Sequence, residues 1–204
     1  MTNVPRRTLI QAFTAVLCGL ALSSTVASSA YAADLPQVSL KTSMGEIVLE
    51  LDPQHAPKTV ANFLQYVKSG FYKGTIFHRV IDGFMIQGGG YDVKMTDKKT
   101  GKPIKNESDN GLKNVPYSIA MARTNVHDSA TSQFFINVGE NAALDYPGRD
   151  GSGYAVFGKV ISGQEVVDKI KGVVVDDIRG QQNVPVVPIV IQSATIVGAA
   201  KPVK

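Results

Sequence analysis

The chain has 204 residues, 21 of them Lys or Arg and 17 Asp or Glu, so its formal net charge is +4. This small excess of positive charge does not indicate a nucleic-acid partner. Hydrophobic residues make up 44% of the sequence, which is enough for one domain with an ample core at this length. No internal repeat or linker indicates a second domain.

Residues 1–32 are predicted to be a cleavable export signal. Arg6 and Arg7 form a basic start, residues 9–26 are largely apolar, and residues 30–32 read Ala-Tyr-Ala, a small-x-small cleavage site. Polar residues interrupt the apolar run, which is short for a membrane span of about 20 residues, so we expect no stable membrane insertion. The arginine pair also resembles a twin-arginine signal, but paired arginines are common in ordinary leaders, and we favour the general secretory route.

The single cysteine, Cys18, lies within this leader. It lacks the preceding small residue of lipoprotein signals, so a lipid anchor is not expected. Removal of the leader would leave residues 33–204 without cysteine and with a net charge of +2, because 19 basic residues would face 17 acidic ones. A cysteine-free chain is suited to an oxidising compartment, such as a bacterial periplasm or the outside of the cell. We therefore expect a single periplasmic domain over residues 33–204, which acts as a monomer.

The first elements of this domain are a β-hairpin and a helix. Apolar residues alternate with polar ones at residues 38–40 and 47–51, on either side of a Met44-Gly45 turn. Pro57 then opens a segment with apolar residues at helical spacing, and Gly70 is the predicted C-terminal cap.

Residues 75–160 are predicted to form short strands, because β-rich runs alternate with turn dipeptides such as Asp82-Gly83 and Asn110-Gly111. A second helix is predicted after Ser162, which would form a capping box with Glu165. Residues 187–197 are predicted to be a closing strand. Many short strands with two separated helices indicate a closed antiparallel barrel, whose ends the helices cover.

Two runs carry the candidate chemistry. Residues 77–90 read Phe-His-Arg-Val-Ile-Asp-Gly-Phe-Met-Ile-Gln-Gly-Gly-Gly and place Arg79 among apolar side chains, with the amide of Gln87 close by. Residues 121–137 repeat this combination of amide and aromatic residues. If the two runs converge, they form one groove with a strong hydrogen-bond donor and no nucleophile.

Such a groove suits the isomerisation of peptide bonds that precede proline. This reaction changes no covalent bond, but it must cross a barrier of about 18 to 20 kcal/mol, because the twisted amide loses its resonance. The prolyl nitrogen gains a lone pair on twisting, so a guanidinium that donates to it stabilises the transition state selectively. One such hydrogen bond, worth about 1.5 to 3 kcal/mol, accelerates the reaction about 10- to 150-fold. Anchoring the substrate and excluding water must supply the rest.

Both runs resemble those of the cyclophilins, the cyclosporin-binding family of peptidyl-prolyl cis-trans isomerases. The resemblance covers residues 37–197, and it is strongest to the bacterial periplasmic cyclophilin A branch, through residues 83–90, 104–107 and 120–124. It implies a mostly β fold, with a closed eight-stranded antiparallel barrel capped by two α-helices. It also implies proline-containing, unfolded or partly folded polypeptides as substrates, with no cofactor or metal.

The resemblance also assigns roles to individual residues. Arg79 would be the catalytic cation, and Gln87 would help to hold the substrate backbone. The proline pocket would be lined by Phe84, Met85, Phe135 and Leu144. The groove for the residues before proline would be bordered by Ala122, Arg123 and Gln133.

Two positions depart from the family pattern. Ala143 stands where cyclosporin-sensitive members carry a tryptophan, and the chain has no tryptophan at all. Because an indole supplies a large apolar surface and an N–H donor, we expect weak cyclosporin binding with isomerase activity retained. Tyr154 stands where eukaryotic members have a histidine, so it would preserve an aromatic wall but not an imidazole.

The histidines, a serine and the glycine run fit other chemistries less well. The three histidines, His55, His78 and His127, lack metal-ligand spacing. Ser132 could be grouped with His78 and an aspartate as a hydrolase triad, but no nucleophile-elbow signature surrounds it. The glycines at 88–90 could cradle a phosphate, but they fit better as backbone that passes close to a neighbour.

A second class of function also remains open. A proline-motif binding module, or a chaperone that holds unfolded chains, could use the same groove without turnover. Arg79 favours the isomerase, because a pure binding groove could use a neutral donor that is less costly to desolvate.

Overall fold

The computed structural model describes residues 35–149 and 151–197. The predicted leader over residues 1–32 lies outside the described residues, so the export signal, its cleavage and its route stay predictions. No helix within the described part is both long and apolar enough to cross a membrane.

The described chain forms ten strands, two α-helices and one 3₁₀ turn. In chain order these are β1 (Gln37–Thr42), β2 (Gly45–Leu51), α1 (Pro57–Lys68), β3 (Thr75–Ile81), β4 (Met85–Asp92), β5 (Ser118–Met121), β6 (Phe134–Asn137), the 3₁₀ turn (Ala142–Leu144), β7 (Val156–Ser162), α2 (Gln164–Lys171), β8 (Val175–Ile178), β9 (Gln181–Pro185) and β10 (Ile189–Val197).

Eight strands close into a barrel in the order β1-β10-β3-β4-β6-β5-β7-β2, and the neighbouring pairs are antiparallel. The predicted eight-stranded barrel with two helices is therefore confirmed. Closure leaves no unpaired edge in this sheet, which removes the surface on which strands of other chains could add.

The β8–β9 hairpin lies outside the barrel and was not anticipated from the sequence. Its turn uses Arg179 and Gly180, both with positive φ, and arginine is not a residue that marks such a turn. The closing strand starts at Ile189 and not at residue 187, because Pro188 has no N–H to donate to a ladder.

Helix α1 begins at Pro57 as predicted, and Gly70 follows its end with a φ of 68°. The helix directs Phe63 into the barrel, where the ring contacts Phe134 edge-on at a centroid distance of 5.6 Å and lies 5.2 Å from the ring of Phe157. These three rings are fully buried, and burial of aromatic side chains at this density is a main source of stability in a core of this size.

The predicted capping box at the start of α2 is wrong. Ser162 is the last residue of β7, and the N-cap is Gly163, with a φ of 87° and no side-chain cap hydrogen bond. A Cβ atom on Gly163 would lie 2.2 Å from the carbonyl oxygen of Glu46. The close passage of β2 therefore selects glycine at this position, and no side-chain oxygen can be placed there.

Candidate active site

The strand register brings the two sequence runs together. Arg79 pairs with Gln87 across β3 and β4, Gln87 pairs with Phe135 across β4 and β6, and Phe135 pairs with Ala120 across β6 and β5. Directly paired residues share one face of a sheet. The row therefore places the guanidinium, the amide and an aromatic ring side by side on one face, as the predicted convergence requires.

A β-bulge adjusts this row at its first member. Phe77 pairs with Gly88 while Arg79 pairs with Gln87, so His78 is an extra residue in β3. Bulges redirect side chains and are frequent beside active sites. The bulge follows from the pairing of two strands, so alternation within β3 alone could not predict it.

Nine of the ten predicted site residues line a single pocket with a volume of about 110 Å³. They are Arg79, Phe84, Met85, Gln87, Ala122, Arg123, Phe135, Leu144 and Tyr154. The tenth, Gln133, lines an adjoining pocket of about 130 Å³, which shares Gln87, Ala122 and Arg123 with the first. We call these the proline pocket and the upstream pocket.

The guanidinium of Arg79 makes no hydrogen bond or ion pair with any residue that the structure describes, although the side chain is half-buried. Its N–H groups are therefore available to a substrate in the pocket. The neighbouring His78 is buried, and burial together with the charge of Arg79 lowers its pKa to about 4. His78 is thus neutral at ordinary pH and adds no second charge beside Arg79.

The amide of Gln87 is held in place by Gln133, because Gln87 Nε2 donates to Gln133 Oε1 at 3.0 Å. Gln133 in turn fills the space above Gly90, where a Cβ atom would lie 2.5 Å from Gln133 Nε2. The glycine at position 90 is therefore needed for close approach, in agreement with the sequence interpretation.

The floor of the proline pocket is apolar and buried. Met85, Ala120, Phe135 and Val156 form one buried cluster, and Phe84, Leu144 and Tyr154 pack against it. The ring of Phe135 meets that of Tyr154 at a centroid distance of 5.7 Å and an angle of 76°, an edge-to-face contact that stabilises both rings. This surface suits a compact apolar group such as a proline ring.

A polar network behind the pocket was missed by the sequence reasoning. Asn141 Nδ2 donates to the carbonyl oxygen of Phe84 at 2.7 Å and to Asn137 Oδ1 at 2.6 Å. Asn137 Nδ2 donates to Ser118 Oγ at 2.8 Å and to Asn114 Oδ1 at 3.2 Å. These buried amides orient the backbone at Phe84. Their sequence signal is weak, because isolated asparagines usually mark turns.

The serine and two of the histidines considered from the sequence have structural or surface positions. Ser132 is buried and its Oγ donates to the carbonyl oxygen of Gly89 at 2.9 Å, which is a structural role. His55 and His127 are exposed and lie within 2.7 Å and 2.6 Å of Asp52 and Asp128. Within the described ranges, no three His, Cys, Asp or Glu side chains form a group that could hold a metal ion.

Comparison with known proteins assigns this geometry to a family. The family model described as "Cyclophilin type peptidyl-prolyl cis-trans isomerase/CLD" matches residues 37–196. The chain is 59% identical over 177 residues to peptidyl-prolyl cis-trans isomerase A of Dickeya dadantii (strain 3937), with 86% of this chain and 93% of the relative covered. It is 61% identical over 163 residues to peptidyl-prolyl cis-trans isomerase cyp18 of Streptomyces antibioticus, with coverages of 79% and 98%.

Among solved structures, the fold is similar to the crystal structure of a Cryptosporidium parvum cyclophilin-type peptidyl-prolyl cis-trans isomerase. The TM-score is 0.67 at 28% identity, and the match covers 80% of this chain and 98% of the other. The barrel, the converged pocket and these matches together show that the chain belongs to the cyclophilin family and is a peptidyl-prolyl cis-trans isomerase, which acts on proline-containing polypeptides.

Proposed function

We propose that Arg79 is the catalytic cation of this isomerase. The observation that carries the proposal is a half-buried guanidinium with no hydrogen-bond partner among the described residues, at the wall of a pocket with an apolar floor. In such a site a donor acts more strongly than in water, since the surroundings are less polarisable. Arg79 would donate to the prolyl nitrogen as the bond twists, and this interaction is weaker with the planar ground state.

The remaining pocket residues would hold the substrate in one orientation. The proline ring would lie on Met85, Phe135 and Leu144, with Phe84 at its edge. Gln87 would bind the backbone next to the isomerising bond, and Gln133 holds that amide in place. The upstream pocket, which Ala122 and Arg123 also line, would take the residues that precede proline.

We further propose that the protein works outside the cytoplasm, on exported proteins that fold in the periplasm. The support is the leader pattern of residues 1–32 and the absence of cysteine from residues 33–204. The protein would act there as a monomer without cofactor or metal. Because X-Pro isomerisation takes tens to hundreds of seconds without catalysis, it can limit folding. A parallel chaperone role would use the same groove.

The role of Arg79 is tested by peptide exchange measured by NMR, without a coupling protease. We expect Arg79→Ala to lower the rate of exchange of a short X-Pro peptide at least about tenfold while peptide affinity is largely kept. Arg79→Lys keeps the charge but loses the planar donor array, so it should restore little. Catalysis by Arg79→Ala at the rate of the parent protein would contradict the proposal.

The export proposal has a separate test. The chain recovered from the periplasmic fraction of the producing bacterium should begin at Ala33, as determined by N-terminal sequencing. A periplasmic chain that retains residues 1–32, or a chain found only in the cytoplasm, would contradict it. The chaperone role is separated from isomerisation by measuring how well Arg79→Ala suppresses the aggregation of an unfolded protein. If the groove holds unfolded chains, this variant should suppress aggregation as well as the parent protein does, because holding a chain needs no transition-state donor.

A further inference from the structure

A third hollow adjoins the proline pocket and shares no lining residue with the upstream pocket. It has a volume of about 380 Å³ and lies between the 3₁₀ turn at Ala142–Leu144 and the loop that leads into β7. Three of its lining residues, Phe84, Leu144 and Tyr154, also line the proline pocket. The two spaces are therefore continuous across one apolar ridge.

The position of this hollow indicates what would enter it. The upstream pocket shares Gln87, Ala122 and Arg123 with the proline pocket, so the opposite side of the proline pocket is left for the chain that follows proline. A polypeptide that leaves the proline pocket past Leu144 and Phe84 would place its next side chain against this hollow. The assignment of direction rests on the proposed function of Gln87 and of the upstream pocket.

The lining of the hollow selects a side chain with apolar surface. Phe84, Leu144 and Tyr154 supply carbon surface, and Ala143 opens the space because its side chain ends at Cβ. Glu140 and Arg149 lie at its polar side, where both are exposed and neither makes a hydrogen bond or ion pair with a described residue. One anion and one cation at the rim leave no strong preference for either charge.

The hollow is also held open by its own backbone. Tyr154 N donates to the carbonyl oxygen of Leu144 at 2.8 Å, which ties the loop to the 3₁₀ turn. Gly153 has a φ of 63°, and a Cβ atom there would lie 2.7 Å from the backbone nitrogen of Tyr146. A preformed surface of this kind loses little conformational freedom when a ligand binds.

We propose that this hollow is a specificity subsite for the residue immediately after proline, and that it favours large apolar side chains over glycine. Burial of such a side chain against Leu144 and Tyr154 stabilises the bound substrate and transition state, so it raises kcat/KM. We expect the ratio of kcat/KM for leucine or phenylalanine over glycine at this position to be about 5 to 20.

The test uses acetylated pentapeptides Ala-Ala-Pro-Z-Gly, in which Z is glycine, leucine or phenylalanine, and the same protease-free exchange measurement. Ala143→Trp fills the hollow from an exposed position on the 3₁₀ turn, and it should reduce the preference for large Z at least about threefold. Ala142→Trp is the matched control. Ala142 is the exposed neighbour on the same turn and does not line the hollow, so this variant should keep the preference of the parent protein.

Two results would overturn the inference: equal kcat/KM for all three peptides, or an equal loss of preference in Ala142→Trp and Ala143→Trp. The first comparison needs no variant, so the inference stays testable if a tryptophan variant does not fold. Failure of the proposed function is distinguishable. It would appear as undiminished turnover of the glycine peptide by Arg79→Ala, whereas failure of the subsite would appear as equal turnover of the three peptides by the parent protein.

Discussion

The guanidinium carbon of Arg123 lies 4.5 Å from the centroid of the Tyr154 ring. Arg123 also donates from Nε to the carbonyl oxygen of Gly153 at 2.9 Å and from one terminal nitrogen to that of Thr124 at 3.0 Å. The side chain therefore joins the loop after β5 to the loop before β7, across the mouth of the proline pocket. Because Tyr154 also packs on Phe135, Arg123 helps to hold the aromatic wall in place.

Arg123→Gln is expected to raise KM for X-Pro peptides about three- to tenfold and to change kcat less, because it removes the cation–π contact with Tyr154 and the hydrogen bond to Gly153, the residue before it. Arg123→Lys should recover little, since an ammonium cannot stack flat on the ring. Lys169→Gln, an exposed change in the last turn of α2, should leave both constants unchanged.

A double-mutant cycle with Tyr154→Leu separates this positioning role from direct substrate contact. If Arg123 acts through Tyr154, the double variant should bind peptide as tightly as the single variant that has the lower peptide affinity. Additive effects of the two substitutions would show that Arg123 contacts substrate independently of the ring.

Cyclosporin should bind weakly to this protein, with a Kd well above the nanomolar range. Ala143 and the adjoining hollow leave no indole to supply apolar surface and an N–H donor. A fluorescence or calorimetric titration of the parent protein and of Ala143→Trp checks this, and the tryptophan variant should bind at least about tenfold more tightly. Low-nanomolar binding by the parent protein would contradict the expectation.

Buried His78 should make the protein less stable in mild acid. The unfolded chain binds a proton at this residue near its ordinary pKa of 6.5, whereas the folded chain keeps it neutral down to a pKa of about 4. The unfolded state therefore binds more protons as the pH falls from about 6.5 to 4, and the free energy of unfolding decreases by up to about 3 kcal/mol through this window. Above pH 6.5 this residue has no such effect.

Urea unfolding between pH 7 and pH 4 measures this loss. His78→Phe keeps an aromatic ring beside Tyr91, which lies 4.7 Å away by ring centroids, and it should flatten the pH dependence in this range. His127→Gln, at an exposed histidine, should keep most of it. If the free energy of unfolding of His78→Phe falls with pH as steeply as that of the parent protein, other groups cause the loss.

Gly163→Ala should destabilise the fold by about 2 to 5 kcal/mol. A left-handed residue with a Cβ costs about 1 to 2 kcal/mol, and here the added atom would also lie 2.2 Å from the carbonyl oxygen of Glu46, an overpacking cost of about 1 to 3 kcal/mol. Gly74→Ala is the control, because Gly74 has a similar φ of 79° but nothing within 4 Å of its Cβ position. Equal losses in urea unfolding would show that contact with β2 is unimportant.

Much of the fold was predictable because its signals are local. Alternation around the Met44-Gly45 turn gave the first hairpin, and Pro57 with the apolar spacing after it gave α1. The error at Ser162 has a different origin. A serine three residues before a glutamate is a valid local pattern, but the approach of the β2 backbone excludes a side chain at Gly163, and nothing near that position in the sequence reports it.

The candidate site, like the fold, was predictable from the sequence only in part. Motifs at 77–90 and 121–137 identified which residues belong together, and their side-chain chemistry indicated the reaction. The bulge at His78 and the absence of a described partner for Arg79 depend on contacts between strands. The hollow beside Leu144 depends on how a loop folds back on a 3₁₀ turn. Neither could be read from residue spacing.

By itself, the sequence determined the first hairpin, the positions of the two helices, the family and the chemistry of the groove, because these depend on neighbouring residues and on the identity of side chains. Only the tertiary structure decided how distant groups meet. The start of α1 has no side-chain cap of its own, yet Glu107 accepts hydrogen bonds from Lys58 N at 3.1 Å and from Thr59 N at 2.8 Å. A donor at a helix end is satisfied by whichever acceptor the packed chain brings within reach, and that partner is set by closure of the barrel and not by proximity in the sequence.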